Sequence, residues 1–167
     1  CRTLELADAD HGSSTNCVGI DGSDNLEVNS PSTLSLTYRD GNPCFSGTIQ
    51  ASGWGAVYIF GLAPGSGSWD ATSEGVTGFE FSYLSNVGNT PPASLKVIYK
   101  DSGGTDYCDF IAPGTTALPF TSTSNCTAYP GTGVDPTDLI EMILAFTPGN
   151  NNPPYALDFC VQITALE

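Results

Sequence analysis

Apolar and polar residues alternate with a period of two along most of this chain. In Gly78 to Tyr83, the side chains of Phe79, Phe81 and Tyr83 point one way, and those of Glu80 and Ser82 the other. That is the pattern of a strand with one face buried. A polar turn, Trp69-Asp70-Ala71-Thr72-Ser73-Glu74-Gly75, leads into it. The same alternation predicts strands over Leu34 to Tyr38, Cys44 to Gln50, Trp54 to Leu62 and Ser94 to Lys100. Further strands follow over Thr105 to Ile111, Thr116 to Thr121, Ile140 to Thr147 and Tyr155 to Ala165. In the Trp54 segment, Trp54, Ala56, Tyr58 and Phe60 share a face. Residues 1 to 30 read as polar and irregular.

Turn chemistry separates these runs, as in Asp40-Gly41-Asn42-Pro43, Pro64-Gly65-Ser66-Gly67-Ser68, Asp101-Ser102-Gly103-Gly104 and Pro113-Gly114. Asp135-Pro136 predicts one turn of helix, with Asp135 as N-cap and Pro136 at the first helical position. About ten short strands with no long helical pattern predict an all-β protein, a two-sheet sandwich or a barrel. The length of 167 residues suits one domain over 1–167. No internal repeat of fixed period points to a propeller or a solenoid.

The charge balance narrows the partners. There are 18 acidic residues against 4 basic ones, for a net charge of −14. Phosphate binding needs clustered Lys and Arg, so nucleic acid is excluded as a partner, and anionic membrane surfaces are disfavoured. No stretch reaches the roughly 18 apolar residues of a membrane span. The acidity reads most simply as solubility outside the cell, and more sharply as affinity for calcium.

Six cysteines, Cys1, Cys17, Cys44, Cys108, Cys126 and Cys160, suit an oxidising compartment, extracellular or at the cell surface. None forms a C-x-x-C pair, and His11 is the one histidine, so zinc and thioredoxin chemistry have no support. Six cysteines allow 15 connectivities. The chain opens on Cys1 rather than Met, which points to a processed or excised product.

Catalytic constellations are sparse. Glu80 and Glu141 are the strand carboxylates that could flank a glycosidic bond. Their plainer role is as solvent-facing alternates of half-buried strands. No G-x-S-x-G elbow exists, and one histidine leaves little for a nucleophile–base pair, so the expectation is a non-enzyme. Aromatic residues offer more. Trp69, Tyr129 and Tyr155 border Gly- or Pro-rich loops, and Trp54 joins them as candidate ligand-binding residues. Such rings combine an apolar face with a polar tip. Asn125-Cys126-Thr127 is a glycosylation sequon.

Two blocks carry a family resemblance. One runs from Trp69-Asp70 through Tyr83 to Leu95-Lys96-Val97. The other joins Asp135-Pro136-Thr137-Asp138-Leu139 to Phe146 with Tyr155-Ala156-Leu157-Asp158-Phe159-Cys160. Together they resemble the galactose-binding-like β-jelly-roll carbohydrate-binding modules of secreted bacterial proteins. The resemblance implies a two-sheet antiparallel jelly roll with at most one or two short helical turns. It implies a glycan partner, bound on a concave sheet face or at loop tips. It implies calcium between the N-terminal segment and the last strand, with Glu5, Asp8, Asp10 and Asp158 as the acids in place. It also implies the bridge Cys44–Cys160, between strands that jelly rolls set side by side. Cys1–Cys17 and Cys108–Cys126 then close local loops. The expected function is that of a non-catalytic extracellular carbohydrate-binding module. The alternative is a self-assembling subunit of an extracellular fibre, filament or surface layer, a homo-oligomer joined by strand exchange.

Overall fold

The computed structural model describes residues 24–62, 67–84, 91–104, 106–121, 126 and 133–167. Ten strands form in chain order. They are β1 (Asp24–Val28), β2 (Thr33–Arg39), β3 (Asn42–Ile49), β4 (Ala56–Gly61) and β5 (Gly78–Tyr83). Then follow β6 (Leu95–Asp101), β7 (Asp106–Ile111), β8 (Thr115–Pro119), β9 (Leu139–Phe146) and β10 (Tyr155–Leu166). All pairings are antiparallel, in two five-stranded sheets ordered β1-β4-β9-β6-β7 and β2-β3-β10-β5-β8. Without β1 and β2, the orders β4-β9-β6-β7 and β3-β10-β5-β8 are those of an eight-stranded jelly roll. β1 and β2 lengthen the two sheets at one edge each. The expected all-β jelly-roll sandwich is the fold of this chain.

Alternation decides which residues meet between the sheets. Ala56, Tyr58 and Phe60 of β4, and Met142, Leu144 and Phe146 of β9, are buried on the inner face of the first sheet. Phe45, Phe79, Phe81, Leu157, Phe159 and Val161 are buried on the inner face of the second. Phe45 ties the two together. Its ring lies 5.3 Å from Tyr58 and 4.9 Å from Phe146 across the gap, and 5.6 Å from Phe159 in its own sheet. A second aromatic group joins Phe79 to Tyr99 at 5.8 Å and to Phe120 at 5.4 Å. Rings at these distances and tilts stabilise beyond the area they bury.

Two disulfides are formed, Cys44–Cys160 and Cys108–Cys126, with Cα separations of 4.0 Å and 5.5 Å. The first joins directly paired residues of β3 and β10. Both pairings agree with expectation. The third expected bridge, Cys1–Cys17, lies outside the described residues.

Three expectations need correction. The segment Asp135–Asp138 is a single turn, not helix: the Asp138 N–H donates to the Asp135 carbonyl at 3.2 Å, and Leu139 already opens β9. The Asp135 carboxylate accepts from the Thr137 hydroxyl at 2.7 Å and from the Thr137 N–H at 2.9 Å, and these two bonds hold its carboxyl below the usual range. Single 3-10 turns occur instead at Thr72–Glu74 and Pro148–Asn150. Second, β1 arises within the stretch read as irregular, because it pairs with β4 from Asp24↔Phe60 to Val28↔Ala56. Third, Trp54 stands outside β4. Gly55, at φ 96°, breaks the alternation just before Ala56.

Because Phe45 contacts both sheets, Phe45→Ala should cost about 3–5 kcal/mol of stability. Thr48→Ala, on the outer face of the same strand, should cost under about 0.5 kcal/mol. Urea denaturation of both variants checks this, and equal losses would show that the ring does not bridge the sandwich.

Candidate functional site

Five connections emerge at one end of the sandwich, and three of them surround Trp54. Val28 is opposite Ala56, Ala56 is opposite Phe146, and Ile49 is opposite Tyr155. The β1–β2 turn, the β3–β4 loop and the β9–β10 loop therefore emerge side by side. Their sequences, 29–32, 50–55 and 147–154, hold Asn, Gln, Ser, Thr, Gly, Pro, Ala and one Trp, with no charged residue.

Trp54 sits in the middle connection and is 46% exposed. Its backbone is held from several sides. The Trp54 N–H donates to Asn29 Oδ1 at 3.1 Å, and the Asn29 N–H donates to the Gly55 carbonyl at 2.8 Å. Gly53 and Gly55 have φ values of 86° and 96°, which favour glycine. A Cβ at Gly53 would come within 2.0 Å of Asn29 Oδ1, and one at Gly55 within 2.0 Å of the Phe146 carbonyl. At the loop base, the Gln50 N–H donates to Ser32 Oγ at 3.0 Å. The local sequence Gly-Trp-Gly thus sets an indole on a locked loop and turns it to solvent. Val28, the other large hydrophobic residue exposed among those described, ends the strand next to Asn29.

The other expected site residues fall elsewhere. Trp69 is 7% exposed and lies against Phe79, with ring centroids 6.2 Å apart. Its backbone pairs with Leu139 in an isolated bridge that draws the indole inward, so its expected exposure is corrected. Tyr155 is half-buried at the start of β10, and its hydroxyl donates to the Thr147 carbonyl at 3.2 Å. Burial raises its pKa, partly offset by a hydrogen bond with Asn151. Asn151 in turn bonds both the N–H and the carbonyl of Ser94, at 3.3 Å and 3.0 Å. Tyr155 therefore sits next to the Asn151 buttress of this end and is only partly exposed. Tyr129 lies outside the described residues, as does Asn125.

Of the four expected calcium ligands, only Asp158 is described. It is exposed on the outer face of β10 opposite Ser46, in a shallow groove that Arg39 also lines. Glu5, Asp8 and Asp10 lie outside the described residues. Among the described residues, no group of three or more His, Cys, Asp or Glu is placed to hold a metal ion. Glu80 and Glu141 are on the outer faces of different sheets, so the whole sandwich stands between them. Glu141 pairs with Lys100 at 3.5 Å. Two stacked sheets alone measure about 10 Å across, and these carboxyls point apart, so they cannot flank one glycosidic bond. A second hollow, lined by Val76, Pro119, Phe120 and Pro136 among others, opens at the far end. It carries no charged side chain.

No protein-family model matches this chain, and no curated protein matches it. Solved structures do. An agarase, AgWH50C, is similar over 100% of this chain at 12% identity and a TM-score of 0.56. An exo-beta-agarase is similar over 86% at 11% identity and a TM-score of 0.50. The chain spans only about a quarter of those enzymes' length, 25% and 23%. A family 30 carbohydrate-binding module covers 89% of this chain, at 15% identity and a TM-score of 0.46. At such identities the agarase likenesses establish the β-sandwich fold, and fold alone does not fix function.

If Asn29 holds the Trp54 loop, Asn29→Ala should free the indole at a cost of about 0.5–1.5 kcal/mol. Trp54 is the exposed one of the two tryptophans, so it dominates collisional quenching. Acrylamide quenching should rise and fluorescence anisotropy should fall. Unchanged quenching and anisotropy would mean that the loop is held by the glycines alone.

Proposed function

We propose that this domain is a non-catalytic carbohydrate-binding module that works outside the cell, with Trp54 as its sugar platform. One observation carries the reading: an indole 46% exposed is fixed in place by Asn29 and by two glycines in the left-handed region. A single exposed apolar residue needs no explanation by itself. A single one whose loop is locked before any ligand arrives has its ordering cost met in advance, which favours binding. The apolar C–H face of a sugar suits a flat indole, and the surrounding amides and hydroxyls suit its hydroxyl groups.

The outward divergence of Glu80 and Glu141 supports a binding role over hydrolysis. Two disulfides support an extracellular setting. Stacking on Trp54 requires no metal. The shared fold with part of two agarases makes agarose-derived oligosaccharides the first ligands to try.

Titration with those oligosaccharides and a broad glycan panel, followed by tryptophan fluorescence, tests the reading. Trp54→Ala should weaken binding by about tenfold or more, a loss of about 1.4 kcal/mol, while the melting temperature stays unchanged. A silent panel with the unmodified protein would overturn it. Ordered filaments from concentrated protein in the electron microscope would then put the self-assembling subunit in its place.

A further inference from the structure

Resting on that reading, we propose that the Trp54 site recognises a neutral glycan one sugar unit at a time. The first ground is the distribution of aromatic surface. Binding along a glycan chain would place further exposed rings at the spacing of successive sugars. Among the described residues, Trp54 is the one aromatic residue that stands exposed. Trp69, Tyr58, Tyr99 and Tyr107 are buried between the sheets. The hydroxyls of Tyr155 and Tyr38 are engaged inside the protein, with the Thr147 carbonyl and with the Tyr58 hydroxyl. One indole covers about one pyranose face.

The second ground is charge. The three connections around Trp54 carry no acid and no base, and they offer amides and hydroxyls from Asn29, Gln50, Ser52 and Asn152. A uronate or a sulfate ester calls for Arg or Lys in charge-assisted contact. Of the four basic residues, Arg2 lies outside the described residues, Arg39 ends β2 at the far end, and Lys100 meets Glu141 there; Lys96 stands at the near end of β6, opposite Ala145 and two strands away from β4. The net charge of −14 adds a repulsive field for any anionic glycan, strongest at low salt.

The test is a set of NMR titrations at low and at moderate salt. The ligands are neutral gluco-, galacto- and xylo-oligosaccharides and neutral agaro-oligosaccharides of one to six units, beside oligogalacturonates and sulfated galactan oligosaccharides. Expected are dissociation constants that vary by no more than about sixfold with length, the statistical factor for equivalent units. Also expected are at least tenfold weaker binding of the charged sets, and a gain with added salt for those sets alone. A hundredfold gain from one unit to six would overturn the single-unit claim and leave the carbohydrate reading standing. Charged ligands binding as tightly as neutral ones would overturn the neutrality claim. Tyr129→Ala costing as much as Trp54→Ala would reveal a second platform and overturn the single-unit claim too. If no ligand shifts any resonance, the carbohydrate reading fails, and this inference fails with it.

Discussion

The contact of Phe45 with Tyr58 and Phe146 is the interaction on which the rest of the molecule depends. A strand presents its side chains to opposite faces in turn, so fixing one residue inward fixes the whole strand. With Phe45 inside, Ser46 and Thr48 must face solvent, and so must Ser35 and Asp158, the partners of Ser46 on β2 and β10. The same rule on β4 and β9 turns Glu141 outward once Met142 and Leu144 are buried. The outer faces, and the divergence of the two strand glutamates, are consequences of which rings meet in the middle.

Much of this was legible in the sequence because burial writes its period into a strand. The runs around Phe79, Leu95 and Leu157 alternate cleanly, and each strand forms close to where the pattern places it. β1 was not legible. Its sequence, Asp-Asn-Leu-Glu-Val, carries two apolar residues and gains its strand structure from pairing with β4, a contact that no local window contains. The turn at Asp135–Asp138 carries good helix-start chemistry, yet the neighbouring β9 ladder claims Leu139 before a helix can propagate.

The surroundings of the candidate residues were less legible than the strands. Trp69 has Ser68 and Asp70 beside it and a glycine-rich loop before it, which reads as exposed. A backbone bridge to Leu139, distant in sequence, folds it against Phe79 instead. Trp54 continues the inner face of Ala56, Tyr58 and Phe60 on paper. The signal that it does not was present as Gly53 and Gly55 on either side. A glycine in the left-handed region ends alternation, and two of them around one residue isolate it from the strand. Asn29 could not have been found this way, since its role comes from meeting a loop 25 residues further along the chain.

The acidity of the chain has a direction that composition alone conceals. Asp40, Asp101, Asp135, Asp138 and Glu141 sit in the turns and strand ends opposite the Trp54 loop, whereas the three connections beside Trp54 are uncharged. The far acids largely find partners locally: Asp101 accepts from the Asp135 N–H at 3.1 Å, Asp138 accepts from the Ser102 hydroxyl, and Glu141 meets Lys100. They stabilise turns and keep that end solvated. With an effective screening distance of about 8 Å in physiological salt, their field at the opposite end is weak for a neutral molecule. On the proposed reading, local contacts with the indole and the neighbouring amides then decide what binds there. A rigid sandwich is suited to that division, because the core sets the strand ends while the loops, tied down by Asn29 and the two glycines, can vary without disturbing the packing around Phe45.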